Sequence, residues 1–176
     1  MNRDSLLLCV ALVLSVVAAI LDLQRHRIPN WLTYPGIVLG FVLRGVLFGW
    51  KGLLGALAGC LLAGGIIFVF YAVRAMGAGD VKLLAAIGAL VGPREAGGVL
   101  LATAIFGGVL AVIYALYRGR LVGTLKNVGS VLRFHASAGL HAHPEINLDN
   151  AAALRMPYGL AIALGTLYMF TSVWWR

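Results

Sequence analysis

The chain has 176 residues, 61% of them hydrophobic and only 11% charged, with a net charge of +8 and a mean hydropathy of +0.95. A water-soluble domain of this length has too much surface for its volume to hide that much apolar side chain, so the composition calls for lipid as solvent. The basic residues fall in short gaps between apolar runs; that distribution argues against a nucleic-acid-binding face and marks them as topology signals.

A bilayer core takes about 20 apolar residues per helix. The first such run covers residues 5–21. It is long for the apolar part of a signal peptide and no small-x-small cleavage site follows it, so a retained first helix is expected. A polar segment, Asp22 to Thr33 (DLQRHRIPNWLT), comes next. The second run is 34–50, with Arg44 its only charge, and the third is 53–73, with Lys51 and Gly52 between them. A glycine-rich joint at 75–80 leads into a short helix over 81–91, ended by Gly92 and Pro93. This fourth element is too brief to cross a thick bilayer unaided and has to tilt, extend or be shielded by neighbours. The fifth run is 97–117. Residues 118–156 form the only long polar stretch, and the last run is 157–175, with Trp174 and Trp175 as an interfacial anchor. The expected fold is therefore an all-α integral membrane protein, one domain with a bundle of about six transmembrane helices, the fourth short. Within 118–156, Leu121, Leu125, Val128 and Leu132 recur at helical spacing between Lys126, Asn127 and Arg133, which predicts an amphipathic helix on the membrane surface.

With the N-terminus outside, nine of the 14 Lys and Arg residues lie at inner segments: Arg25, Arg27, Arg74, Lys82, Arg118, Arg120, Lys126, Arg133 and Arg155. The positive-inside rule then favours N-out and C-out, which puts Asp22 and Asp80 on one shared, cytoplasmic face. Small-xxx-small pairs (Gly36 with Gly40, Gly45 with Gly49, Gly55 with Gly59, Gly88 with Gly92) mark close helix packing. Cys9 and Cys60 lie inside apolar runs with no metal or redox spacing and are read as packing residues.

There are six acidic residues. Acids beside membrane helices are costly and are functional candidates by default. Asp4 and Glu95 fall at outer ends, and Glu145 and Asp149 in the polar loop; Asp22 and Asp80 each abut an apolar helix on the same face. Two carboxylates a few Å apart cannot both ionise, so they share a proton. The ionised one can take a proton from water, while the protonated one hydrogen-bonds a peptide carbonyl and stabilises the oxyanion. The glycines of Gly77-Ala78-Gly79 leave room for a substrate strand beside Asp80, and Lys82 is placed to balance local charge. The residues alone leave a second account open: an aspartate after glycines is also a helix N-cap, and Asp22 beside Arg25 and Arg27 is also a solvated helix end.

Three segments in order carry a resemblance. MGAGDVKL at 76–83 resembles the GxGD signature of the type IV prepilin peptidases, which are membrane aspartyl proteases. LDLQRHRIPNWLT at 21–33 resembles that family's first-aspartate segment, and MPYGLAIALG at 156–165 resembles the opening of its last helix. The resemblance implies that Asp22 and Asp80 are the catalytic pair, that Gly77 and Gly79 shape the site, and that Pro157 and Tyr158 contribute to it. It implies cleavage of a basic leader from a prepilin or pseudopilin after a glycine, at the cytoplasmic face of a bacterial inner membrane, with no cofactor. Larger members carry a cysteine-rich insert and N-methylate the product. No four-cysteine cluster is present here, so a peptidase without methyltransferase activity is expected, similar to the short form associated with Flp/Tad-type pili.

Other features point elsewhere. His141-Ala142-His143 with Glu145 offers metal-type ligands, but a polar loop accounts for it better, and no metal is expected. His26, His135 and the serines sit in no recognisable catalytic context. The rival from another class is a small transporter or channel, since acids and glycine-broken helices also mark ion pathways. A non-catalytic assembly factor with a degenerate site is a third possibility, against which the two aspartates argue.

Overall fold

The computed structural model describes residues 3–119, 121–138 and 157–175. Among these every regular element is α-helical: α1 Arg3–Arg25, α2 Asn30–Ala72, α3 Ala78–Val91, α4 Pro93–Tyr117, α5 Leu121–Ala138 and α6 Tyr158–Trp174. Helices α1, α2 and α4 are long and apolar enough to cross a membrane, and α6 is a shorter apolar helix. A helix, α5, is present where the sequence predicted an amphipathic one. The His141–His143 feature, Glu145, Asp149, Arg120 and Arg155 lie outside the described residues.

Several helix boundaries differ from the sequence reading, and two of them need a physical account. The runs at 34–50 and 53–73 form two helices, as expected, both within α2; the break between them falls at Gly49, whose φ of 62° and ψ of −145° are not helical, rather than at Lys51 and Gly52. Positive φ of this kind is cheap for glycine and strained for other residues. The chain doubles back there. A Cβ at Gly45 would meet Leu53, and one at Gly52 would run into the Arg44 carbonyl. Gly36 and Gly40 lie against Ala86 and Ala89, while Gly59 and Gly64 lie against Gly88 and Ala85. The first half of α2 thus runs parallel to α3 and the second half antiparallel to it. The second difference is at the first polar segment. Helix α1 continues through Asp22 to Arg25, because Leu23, Gln24 and Arg25 are good helix formers and Arg25 suits the negative end of the helix dipole. His26, at φ 50°, ends it, donating its backbone N–H to the Asp22 carbonyl at 2.8 Å.

The core is built around α3. Leu83, Leu84 and every residue from Ala86 to Val91 are buried, packed with Leu7 and Leu8 of α1, Val99 of α4 and Ile162 of α6. A short helix can sit at membrane depth when neighbours rather than lipid surround it. The outer faces carry the opposite signature: Val46 is 78% exposed and Leu101 67%, the arrangement expected of helices facing lipid. At the end of the bundle holding the Gly49 turn, Arg3 donates to the Leu47 carbonyl at 2.7 Å and Arg44 to the Leu90 carbonyl at 3.3 Å. Gly92, at φ 82°, separates α3 from α4 there, and its lack of a side chain admits the Arg44 guanidinium. The candidate site lies at the other end.

Candidate active site

The site is assembled from the last turn of α1, the link between α1 and α2, and the first turns of α3 and α6. Asp22 is 7% exposed. Its Oδ2 accepts a hydrogen bond from the backbone N–H of Gly159 at 2.9 Å. Gly159 is in the first turn of α6, where N–H groups have no partner inside their own helix. Pro157 caps that helix in extended conformation, at φ −67° and ψ 98°, and has no N–H of its own to satisfy.

Asp80 is partly exposed and sits one turn into α3. The helix starts before the aspartate, at Ala78, so Gly77 is the N-cap and Asp80 is inside the first turn. Its Oδ2 accepts the Gly77 backbone N–H at 3.3 Å. Asp22 lies within electrostatic range of Asp80, and so does Tyr158. The Tyr158 ring packs onto Gly107 of α4, where a Cβ would stand 2.9 Å from the ring edge and 3.1 Å from the hydroxyl.

The segment between α1 and α2 completes the site. Ile28 is buried, and a Cβ at Gly79 would be 3.0 Å from the Ile28 Cβ and 3.3 Å from its carbonyl oxygen. Gly79 therefore lets the first turn of α3 close against this link. Pro29 caps α2. Asn30 accepts a hydrogen bond from Lys82 Nζ at 2.8 Å, and that ammonium lies 4.9 Å from the centroid of the Tyr34 ring. Lys82 thus ties α3 to the start of α2, so its described contacts are with α2 rather than with the carboxylates.

The structure accordingly brings Asp22, Asp80, Gly77, Gly79, Pro157 and Tyr158 to one end of the bundle, with Lys82 beside them. Ile28, Asn30 and Gly159 belong to the same cluster. The first two lie in the Ile-Pro-Asn triplet noted in the sequence, whereas Gly159 carried no signal of its own there, because it acts by its backbone on a partner distant in sequence. Among the described residues no group of three or more His, Cys, Asp or Glu is arranged to hold a metal ion.

A family model described as the type IV leader peptidase family matches residues 9–112. The chain belongs to the type IV leader peptidase family. The matched segment contains both aspartates, whereas Pro157, Tyr158 and Gly159 fall beyond it. Comparison with curated proteins and with solved structures gives no match.

Proposed function

We propose that this leader peptidase is an intramembrane aspartyl endopeptidase that removes the basic leader from type IV, Flp-like prepilins or pseudopilins, with Asp22 and Asp80 as its catalytic pair. One observation carries the reading: two carboxylates from distant points of the chain, both inside the family match, lie at the same end of a lipid-type bundle and within each other's field. Two structural caps would gain nothing from this proximity, because like charges at short range raise each other's energy. A dyad that shares one proton needs it.

The reaction runs through both carboxyl groups. The ionised one takes a proton from water as the water oxygen bonds to the scissile carbonyl carbon. The protonated one gives its proton to the carbonyl oxygen, yielding a neutral tetrahedral diol. On collapse the C–N bond breaks, the leaving nitrogen takes the proton held by the first carboxyl, and a diol hydroxyl returns its proton to the second. The pair ends in its starting state with no cofactor. The cytoplasmic face of a bacterial inner membrane is the side we assign, because Arg25, Arg27 and Arg74 cluster at the site end of the bundle. Absence of N-methyltransferase activity belongs to the same proposal.

The test is coexpression with candidate prepilins, scoring leader loss by mass. Asp22→Asn and Asp80→Asn should each abolish cleavage, by at least about 10³-fold on the scale of removing an acid–base partner, while the protein stays in the membrane. Cleavage at the normal rate by either variant would overturn the dyad.

A further inference from the structure

The two carboxylates are held differently. Asp22 is the more deeply buried, and its Oδ2 receives a short bond, 2.9 Å, from a helix other than its own. That donor stands in the first turn of α6, while Asp80 lies in the first turn of its own helix α3, so each carboxyl meets the positive end of one helix dipole and the hydrogen bonds are what distinguish them. The fit depends on glycine. A Cβ at Gly159 would stand 3.1 Å from both the Cβ and the Oδ2 of Asp22, and 3.2 Å from the Ala19 Cα. Asp80 is more open and receives only a 3.3 Å bond from Gly77 in its own first turn. Hydrogen bonds to an ionised acceptor are short and strong, so the α6 contact favours charge on Asp22 more than the Gly77 contact favours it on Asp80.

Resting on the dyad reading, we infer that Asp22 carries the negative charge at rest and is the general base, that Asp80 carries the shared proton and is the general acid, and that Gly159 is the positioning residue that sets this order. The Oδ1 of Asp22 accepts no hydrogen bond among the described residues and is the oxygen left to meet water. Among the described residues, Tyr158 of α6 is the further titratable group that interacts electrostatically with Asp80 besides Asp22, and Lys82 of α3, two residues after Asp80, is bonded to Asn30 and lies over the Tyr34 ring of α2. Arg25, His26 and Arg27 follow Asp22 in the chain and are exposed. Arg118 at the end of α4 donates to the Tyr114 hydroxyl at 3.1 Å.

The test is a titration of lone carboxyl groups by the carbon-13 shifts of labelled aspartate in detergent micelles. Asn keeps the shape of Asp and an acceptor oxygen, so Asp80→Asn leaves Asp22 alone and Asp22→Asn leaves Asp80 alone. Lone Asp80 should take up its proton at the higher pH. Adding Gly159→Ala to Asp80→Asn should raise the titration of Asp22 by about one unit, the effect of one lost backbone donor, and adding Gly77→Ala to the same background should not. In the otherwise unaltered enzyme, Gly77→Ala rather than Gly159→Ala should shift the infrared carbonyl band of the protonated carboxyl; this second measurement holds even where a double variant fails to fold. Reversed or equal titrations, or a band moved only by Gly159→Ala, overturn the assignment and leave the peptidase reading intact. Uninterrupted cleavage by the single Asn variants would instead overturn the peptidase reading.

Discussion

Gly77 and Gly79 bracket the approach to Asp80 in different ways, and the difference is testable. A Cβ at Gly77 would stand 3.2 Å from Asp80 Oδ2, the free end of a side chain. The carboxyl can swing away, so Gly77→Ala should displace the proposed catalytic group while leaving the fold intact. A Cβ at Gly79 meets the Ile28 Cβ at 3.0 Å and its backbone oxygen at 3.3 Å. Relief there requires the α1–α2 link or the first turn of α3 to move, so Gly79→Ala should cost stability as well. We expect both variants to lower kcat at least tenfold. Gly77→Ala should leave Tm within about 2 °C of wild type, and Gly79→Ala should lower it by the several degrees that go with about 1–2 kcal/mol. Cleavage rates and thermal unfolding in micelles check this; a large Tm loss at Gly77 with kcat unchanged would contradict the role given to it. Asp22 and Asp80 were legible in the sequence because acids are rare in so apolar a chain and stand out wherever they abut a helix. Gly159 was not, because its contribution is a backbone N–H directed across 137 residues of chain, and no side-chain pattern announces that.

At the scale of helices, the seam between α2 and α3 sets where Asp80 can be. It is built from glycine and alanine on both sides, and α3 packs more extensively against α2 than against any other helix. A Cβ at Gly59 would strike the Gly88 carbonyl, and a Cβ at Gly88 would strike that of Gly59. These are backbone against backbone and cannot be relieved by a rotamer change. Gly59→Val should therefore destabilise by at least about 1–3 kcal/mol, the usual cost of overpacking. Gly65, on the exposed side of the same helix with nothing within 4 Å of its Cβ position, is the control: Gly65→Ala should be neutral or stabilising by up to about 1 kcal/mol. Equal melting temperatures for the two variants would show that the seam is not tight. The sequence announced this packing through its small-xxx-small pairs and marked nearly every helix by apolar run length. It did not announce that the break within α2 falls at Gly49 rather than at Lys51 and Gly52, since a glycine inside an apolar run does not reveal its φ. Nor did it announce that α1 outlasts its apolar run, since helix propensity carries through Leu23 and Gln24 after hydropathy stops.

For the whole molecule, the bundle has two ends of different character. The turns at Gly49 and Gly92 lie at one, with Arg3 and Arg44 closing on backbone carbonyls. The link at 26–29, the 73–77 segment and the start of α6 lie at the other. Helix α4 runs past the site: from Gly107, opposite Tyr158, it continues to Tyr117, about 15 Å further at 1.5 Å per residue. That places α5 beyond the carboxylates, on the side where the basic residues concentrate. Val128, on the apolar stripe read from the sequence, is exposed, as suits a helix at the lipid–water boundary. The arrangement predicts opposite compartments for the two ends. In a background with Cys9→Ala and Cys60→Ala, single cysteines introduced as His26→Cys and Gly119→Cys, both exposed, should react with a membrane-impermeant maleimide in inverted vesicles and be protected in intact spheroplasts. Lys51→Cys, also exposed and at the far end, should show the reverse. Labelling of His26→Cys and Lys51→Cys from the same side would mean that the two halves of α2 do not traverse the bilayer. Labelling of His26→Cys only from outside would put the carboxylates in the wrong compartment to meet a leader that has not yet left the cytoplasm.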